Sequence, residues 1–277
     1  MVARAAHVTE LSLVPNIRTY PIGDGDVTAI GAVATALADI VTRHGSLYQW
    51  ASALPQPRAL RGRAPVYVAQ LPATSDTVVI RHAWHGGLLA PLTGDRFRMP
   101  TRAPRELARS YALRVQGIPT SEVLGFARYS AGFGCRTVDV VSRFIPDAAD
   151  LGIVAAGLAP EIDLAAALDS TIALLATLAA HGVIHPDLNV KNVLLRRTPT
   201  QSLEAMMIDV DVVLWDHTRA PRVVMQANVA RLTRSMRKWR SHFGCSVSDE
   251  QLAAFEQRAF DAMLAAPAPP DTPARSR

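Results

Sequence analysis

The chain has 277 residues, of which 49% are hydrophobic and 19% charged, so it can bury a large core in one domain or two lobes. It has only two cysteines, Cys135 and Cys245, which excludes a disulfide framework and a C-x-x-C metal pair. The formal net charge of +5 favours anionic partners. All but two of the 29 Lys+Arg residues are arginine, the lysines being Lys191 and Lys238.

The apolar runs of the chain indicate whether it carries a secretory signal or a membrane-spanning helix. Residues 1–15 contain no uninterrupted apolar segment of the kind found in a secretory signal. The longest apolar run, IALLATLAA at 172–180, is well short of the roughly 20 residues that a membrane-spanning helix needs. We therefore expect a cytoplasmic protein whose contact with any membrane is peripheral.

The N-terminal part predicts a helix and then the start of a sheet. Residues 26–43 repeat apolar side chains at helical spacing before Gly45, and we interpret residues 1–58 as an N-terminal helical extension. From residue 59 the composition changes, and short runs rich in β-branched residues occur at 66–68 and 77–81. Such runs, bounded by Pro, Gly, Ser and Asp, predict strands.

A helix and two further strands follow. The segment PRELARSYALRVQG begins at Pro104 and ends at Gly117, and proline in the first turn with glycine past the end is typical of one helix. Strand-like segments at 122–129 and 136–144 come next, before the linker sequence Ile145-Pro146-Asp147. Residues 59–146 are thus predicted to form an N-terminal lobe.

The rest of the chain is predicted to be mainly helical. Residues 164–180, 225–243 and 248–264 have helical composition, and short apolar runs at 193–195 and 206–208 predict strands. We expect residues 147–264 to form a C-terminal lobe. The Pro-rich tail, 265–277, has the composition of a disordered segment.

One segment contains a catalytic pattern. HGVIHPDLNVKNVLL, residues 181–195, has the spacing H-x-D-x-x-x-x-N at His185, Asp187 and Asn192, and Asp209 follows in MMIDVDVV. Phosphoryl transfer needs a carboxylate to orient a hydroxyl and accept its proton, and oxygen ligands for the magnesium nucleotide. Each residue alone also fits an ordinary turn or strand end. Their joint presence between two apolar runs favours a kinase catalytic loop.

These residues resemble the lipopolysaccharide kinase family, in particular the 3-deoxy-D-manno-octulosonic acid (Kdo) kinases, over residues 60–240. Residues 185–195 are similar to the family's H-x-D-L-N-x-x-N-x-L-L loop and residues 208–211 to its I-D-x-D strand. IRHAWHGGLLAPLTGDRF resembles an R-H-x-x-x-G-G-L run, and RAPREL the helix start that follows it. The resemblance implies an α+β, protein-kinase-like two-lobed fold, with a small N-terminal β-sheet lobe containing one helix and a mainly helical C-terminal lobe.

The resemblance also implies a reaction, its cofactors and roles for particular residues. ATP with Mg²⁺ would phosphorylate a sugar hydroxyl of Kdo on a lipid A type glycolipid, at the anionic cytoplasmic face of the inner membrane. The implied roles are a catalytic base at Asp187 beside His185, metal ligands at Asn192 and Asp209, an auxiliary metal ligand at Asp211, and a carboxylate at Glu106 that orients a phosphate-binding cation.

The identity of that cation departs from the protein kinases. They use a lysine on the third strand, but this chain has no lysine before Lys191, so Arg81 at the end of TVVIR is the candidate. Arginine is planar and multidentate, so the geometry must differ, and a surface arginine is the alternative. Gly62 is a candidate phosphate-loop glycine, and the glycines of His85-Gly86-Gly87 fit a ligand or an ordinary turn. Lys191 either approaches the phosphate or faces solvent.

Basic residues recur from Arg231 to Arg240 in a segment that resembles the R-L-x-R-S-x-x-K helix of the same family. They form either a solvated face or a contact with anionic lipid or sugar acid. No ribonucleoprotein motif is present, which argues against nucleic acid. The alternatives to a Kdo kinase are a kinase for another small molecule or a protein, a non-catalytic nucleotide-binding pseudokinase, and a basic membrane-docking protein.

Overall fold

The computed structural model describes residues 11–60, 65–72, 74–84, 94–245 and 247–265. The chain has a mixed α/β architecture that divides into two compact units. The first unit comprises residues 1–112 and 121–144, and the second comprises residues 113–120 and 145–277. Of the predicted tail, residues 266–277 lie outside the described residues, and Ala265 is the last residue of a helix.

An eight-stranded antiparallel sheet forms the framework of the first unit. Its strands are β1 (Ile17–Ile22), β2 (Gly25–Ile30), β3 (Arg58–Leu60), β4 (Val66–Gln70), β5 (Thr77–His82), β6 (Phe97–Arg98), β7 (Val123–Ser130) and β8 (Cys135–Arg143). The strand order is β1-β2-β7-β8-β5-β4-β3, and β6 pairs with β8. Neighbours in this sheet run antiparallel, as hairpin connections between successive strands require.

Helices cover both faces of this sheet. They are α1 (Gly31–His44), α2 (Leu47–Ser52) and α3 (Ala103–Val115). Apolar side chains of α1 and α2, including Leu37 and Trp50, pack with Ile80 of β5 in one buried cluster. Leu107 of α3 packs with Phe126 of β7 in another. Successive strand residues point to opposite faces, which is why one strand can contribute to both clusters.

The structure corrects the predicted start of the sheet. β1 and β2 lie within residues 1–58, which the sequence interpretation assigned to a helical extension, and α1 begins at Gly31 instead of residue 26. The stretch Val27-Thr28-Ala29-Ile30 fits a helical period, but its β-branched residues pair with β7 as a strand. The N-terminal segment is therefore part of the first unit's sheet and core.

A buried carboxylate ties α2 to the sheet. Asp139 of β8 is fully buried and accepts hydrogen bonds from the Tyr48 backbone N–H at 3.0 Å and the Tyr129 hydroxyl at 2.9 Å. His82 Nδ1 lies 2.6 Å from the same carboxylate, and its Nε2 lies 3.0 Å from Asp95. Burial alone would lower the pKa of His82, but these two carboxylates raise it above its ordinary value.

The second unit is mainly helical. Its helices are α4 (Leu151–Ala155), α5 (Leu164–Ala180), α6 (Pro221–Phe243) and α7 (Asp249–Ala265), and its short strands are β9 (Ala149–Asp150), β10 (Val183–Ile184), β11 (Val193–Arg197), β12 (Leu203–Met207) and β13 (Leu214–Trp215). The strands pair as β12-β11-β9 and as β10-β13. The apolar faces of α5, α6 and α7 share one buried cluster with β11 and β12.

Several predicted elements are confirmed. The helix predicted at 164–180 is observed with the same bounds, and those predicted at 225–243 and 248–264 begin and end within a few residues of α6 and α7. Asp163 caps α5 by accepting from the Ala166 backbone N–H at 2.9 Å. Among the described residues, none of the helices combines the length and the hydropathy needed to cross a membrane.

Candidate active site

A loop between β10 and β11 presents Asp187. Its side chain is exposed, whereas its main chain is held on both sides. The Asp187 backbone N–H donates to His185 Nδ1 at 3.3 Å, and the Asp187 carbonyl accepts from Asn189 Nδ2 and Asn192 Nδ2, both at 2.9 Å. The loop is thus fixed by its own side chains while the carboxylate stays available to a ligand.

His185 lies beneath this loop. It is fully buried, and its Nε2 lies 3.3 Å from the carbonyl oxygen of Ile208. Because Nδ1 accepts from the Asp187 backbone N–H, Nε2 must carry the proton, so the hydrogen bonds select one neutral tautomer. Burial lowers the pKa of His185, against the opposing effects of Ile208 and the two nearby carboxylates. The ring therefore holds the loop in place and does not face a substrate.

Asn192 and Asp209 meet through strand pairing. β11 and β12 pair with Val193 opposite Met207, and the Ile208 backbone N–H donates to the Asn192 carbonyl at 3.0 Å. Asp209 follows directly. Both Asp187 and Asp209 act electrostatically on the His185 ring, so both carboxylates lie near it. The structure brings together the loop and strand residues that the spacing predicted.

The backbone of Asp209 is unusual. Its φ of 60° and ψ of 47° lie in the left-handed region, ahead of the 3-10 turn Val210–Val212. Residues other than glycine adopt this conformation at a cost, and such strain is concentrated at functional sites. Asp211, within the turn, is buried at 6% exposure. The strained position supports a functional role for Asp209.

The oxygen donors of this loop suit magnesium. Asn192 uses its amide nitrogen on the Asp187 carbonyl, which leaves the amide oxygen as its cation-binding atom. Magnesium typically takes one or two carboxylates and completes its shell with water and phosphate oxygens. Within the described ranges, no group of three or more His, Cys, Asp or Glu side chains is placed to hold a metal ion. One amide oxygen and one carboxylate, from Asn192 and Asp209, are donors that a nucleotide-bound Mg²⁺ could use.

One face of α6 holds the loop, and the sequence interpretation missed it. Asn228 is fully buried, accepts from the His185 backbone N–H at 3.0 Å and donates to the Val183 carbonyl at 2.9 Å. Arg231 Nε donates to the Pro186 carbonyl at 2.7 Å, and Ser235 Oγ accepts from the Val190 backbone N–H at 3.1 Å. Polar residues three and four apart on an otherwise apolar helix face are a sequence signal that can indicate such a contact, although it does not identify the partner.

Lys191 does not point freely into solvent. Its Nζ lies 4.9 Å from the centre of the ring of Trp239, a residue of α6, in a cation–π contact. The Trp239 indole N–H donates to the Gly152 carbonyl at 2.8 Å. A Cβ at Gly152 would lie 2.9 Å from the indole, so glycine permits this approach.

In the first unit, Arg81 and Glu106 form the predicted pair. Arg81 Nη2 lies 2.7 and 2.8 Å from the two carboxylate oxygens of Glu106. The Glu106 side chain is 9% exposed and that of Arg81 39%. One guanidinium nitrogen thus binds both oxygens of a carboxylate set in the first turn of α3. Gly62 and His85-Gly86-Gly87 lie outside the described residues.

Comparison with known proteins gives the class of this chain. The model of the lipopolysaccharide kinase (Kdo/WaaP) family matches residues 58–258, more than half of the sequence. The chain therefore belongs to this family, and its membership implies phosphotransferase activity on a hydroxyl acceptor.

A solved structure described as "WaaP in complex with acyl carrier protein" is similar at 12% sequence identity and a TM-score of 0.44, covering 80% of this chain and 83% of that one. No curated protein matches the sequence.

Proposed function

We propose that this protein is an ATP-dependent kinase with a protein-kinase-like two-lobed fold, which phosphorylates a sugar hydroxyl of the lipopolysaccharide inner core. The acceptor we favour is Kdo on a lipid A precursor. The supporting observation is the exposed carboxylate of Asp187 on a main chain fixed by His185, Asn189 and Asn192. Such rigidity is what positioning catalysis requires.

In this mechanism Asp187 orients the acceptor hydroxyl and accepts its proton as the oxygen attacks phosphorus. Asn192 and Asp209 would hold magnesium, and Asp211 lies in the turn after Asp209 as an auxiliary acidic group. A bound magnesium ion supplies positive charge against the phosphate oxygens. His185 is a positioning residue, because it contacts the loop backbone and Ile208 but is buried from a ligand.

We assign the Arg81–Glu106 pair to the nucleotide phosphates. Arg81 Nη2 donates to both oxygens of the carboxylate, which orients the side chain, and the Arg81 side chain is 39% exposed. Arginine binds phosphate oxygens through several N–H groups, so it can fill the role that lysine has in protein kinases. Lys191 is a second cation for this role, provided that it leaves the Trp239 ring.

Two other functions compete with the glycolipid kinase. A kinase for another small molecule or a protein would use the same loop, because Asp187, Asn192 and Asp209 do not specify an acceptor. A non-catalytic nucleotide-binding protein would have no use for an exposed base. We favour the glycolipid because the family is that of the lipopolysaccharide kinases.

The test is transfer of labelled γ-phosphate from ATP to a Kdo-bearing lipid A precursor, with and without Mg²⁺. Asp187→Asn keeps the size and the loop hydrogen bonds of the backbone but cannot accept a proton. We expect wild-type transfer to depend on Mg²⁺ and the variant to lose at least about a hundredfold in rate.

Asp261→Asn, on the exposed surface of α7, is the matched control and should transfer at the wild-type rate. Absence of transfer by a folded wild-type protein that binds ATP would exclude Kdo as the acceptor. Equal rates for wild type and Asp187→Asn would exclude Asp187 as the base.

A further inference from the structure

The hairpin between β7 and β8 ends in a fully exposed aromatic side chain. Phe133 is 102% exposed, the highest value among the large hydrophobic side chains of the described residues. It lies between Gly132 and Gly134, and φ is 75°, 49° and 71° along these three residues. The Cys135 backbone N–H donates to the Gly132 carbonyl at 2.9 Å and closes the turn. The turn therefore holds the ring away from the protein.

Phenylalanine is a poor choice for this position on folding grounds. A bulky residue in the left-handed region is strained, whereas glycine or asparagine adopts it readily. The ring also leaves its apolar surface in water. Because Phe133 is wholly exposed, no packing within the described structure offsets either cost. A binding partner for the ring would explain the residue where folding does not.

The surroundings of Phe133 are both apolar and cationic. β6 pairs with β8 so that Arg98 lies opposite Cys135 and Phe97 opposite Arg136. Met99 directly follows β6 and is 45% exposed. Arg98 is exposed and Arg136 half-buried, and within the ranges that the structure describes neither has an ion-pair partner.

We propose that this hairpin tip, defined as Phe133, Met99, Arg98 and Arg136, docks the protein on an anionic membrane surface. The inference rests on the proposed function, since a lipid-linked acceptor requires the enzyme to meet a membrane. An aromatic ring with cations behind it matches a bilayer interface, where apolar groups enter the acyl boundary and arginines meet phosphate headgroups.

The basic helix α6, the sequence-based candidate for this contact, is less suited. Arg231 donates into the catalytic loop, Arg240 lies 2.8 Å from Asp249, and Arg237 lies 3.5 Å from Glu256. Three of its cations are thus engaged within the protein. α6 also carries an exposed ring, Phe243 at 59%, but this ring lies against the Trp239 ring, with 4.2 Å between centroids. Arg222 of the same helix lies over the Phe260 ring, which leaves Arg234 and Lys238 as its remaining Lys and Arg residues. At the hairpin tip the ring is fully exposed, and among the described residues neither Arg98 nor Arg136 has an ion-pair partner.

Vesicle co-sedimentation of the full chain tests the proposal. The vesicles contain phosphatidylethanolamine with phosphatidylglycerol, and pure phosphatidylcholine vesicles serve as the neutral comparison. Phe133→Asn suits the left-handed backbone, so it should fold with an equal or higher Tm while partitioning at least about tenfold more weakly. Arg98→Gln and Arg136→Gln should each weaken partitioning about fivefold, on anionic vesicles only.

The controls separate this surface from others. Leu158→Ser removes a side chain that is 74% exposed elsewhere and should partition like wild type. The paired change Arg234→Gln and Lys238→Gln tests α6. Wild-type protein that stays in solution, Phe133→Asn that partitions like wild type, or a loss confined to the α6 variant would each overturn the proposal.

The result is independent of catalysis. Neither ATP nor acceptor is present, and Asp187→Asn should sediment with anionic vesicles as wild type does. Docking by a protein with no transferase activity would contradict the proposed function alone. Transfer to a dispersed acceptor by a protein that does not bind vesicles would contradict the docking surface alone.

Discussion

His185 Nε2 lies 3.3 Å from the carbonyl oxygen of Ile208, so the loop that presents Asp187 is bonded to the strand end that presents Asp209. The same ring accepts from the Asp187 backbone N–H through Nδ1. One neutral imidazole therefore fixes the Asp187 loop, which carries the proposed base, relative to the strand end that carries Asp209, the proposed metal ligand. Protonation would turn Nδ1 into a donor that faces another N–H, which would break the arrangement.

Stability should accordingly fall in mild acid. Burial lowers the pKa of His185, so below about pH 6.5 the unfolded chain binds a proton that the folded chain does not. The free energy of unfolding then decreases as pH falls, by up to about 1.4 kcal/mol per pH unit, until the lowered pKa is passed. Urea unfolding of wild type and His185→Gln between pH 5 and 7.5 should show their difference shrinking toward low pH.

His82 contributes with the opposite sign. Its pKa is raised in the folded state, so its contribution is complete below its unfolded pKa and is lost as pH rises through the folded value. Wild type and His185→Gln both contain His82, so its contribution cancels when the two proteins are compared at the same pH. A difference between wild type and His185→Gln that stays constant with pH would show that His185 is not buried in its neutral form.

Asn228→Ala should destabilise the protein and impair transfer together. The substitution leaves the His185 backbone N–H and the Val183 carbonyl buried without their partner, at about 1–3 kcal/mol for each group. The loss is measured by urea unfolding, and transfer by the phosphate assay. Thr233→Val is a matched control, because its buried hydroxyl bonds only the Val229 carbonyl within α6. Equal stability of the two variants would contradict a loop-holding role for Asn228.

Arg81→Met should raise the KM for ATP by about tenfold or more, because one strong phosphate contact is worth that much. The Glu106 carboxylate is 9% exposed and loses this partner, so the free energy of unfolding should also fall, by about 1–3 kcal/mol. Arg81→Lys should recover part of the affinity. Arg143→Met removes another strand arginine, paired with Glu122 and Asp76, and should leave KM unchanged. A similar increase in the KM for ATP in Arg81→Met and in Arg143→Met would indicate a general effect on the sheet.

The contact of Lys191 with Trp239 should appear as a coupling energy. A double-mutant cycle of Lys191→Ala and Trp239→Leu, followed by urea unfolding, should give about 0.5–1 kcal/mol. The cycle isolates this pair from the hydrogen bond between Trp239 and Gly152. Strict additivity of the two single changes would show that Lys191 does not rest on the ring in solution.

Local pattern was enough to predict the long elements. The segment at 164–180 is almost wholly Ala, Leu and Ile between an aspartate cap and His181-Gly182, so its bounds are fixed by nearby residues. The strands β9, β10 and β13 have two residues each, and a pair of residues has no period to recognise. The sequence predicts helix for most of β2 because its residues fit both the helical and the strand period, and the pairing with β7 decides for the strand.

The candidate catalytic residues could be named from the sequence, because His185, Asp187 and Asn192 lie within one loop whose spacing is set along the chain. The contacts of the residues that hold this loop could not. These residues are Asn228, Arg231 and Ser235, and they lie on a helix whose sequence is basic and amphipathic. That pattern predicts a surface cation at Arg231. Its guanidinium instead donates to the Pro186 carbonyl.

The sequence alone thus determined which candidate groups for phosphoryl transfer lie in one loop and in what order they occur, because a loop and its flanking strands are local. Only the tertiary structure decided that His185 is buried as a neutral ring, that Lys191 lies on Trp239 and that Phe133 projects from its hairpin. Those outcomes depend on burial and on partners distant in the chain, such as Ile208 and Trp239. Burial and long-range hydrogen bonds are properties of the packed chain, and no local pattern encodes them.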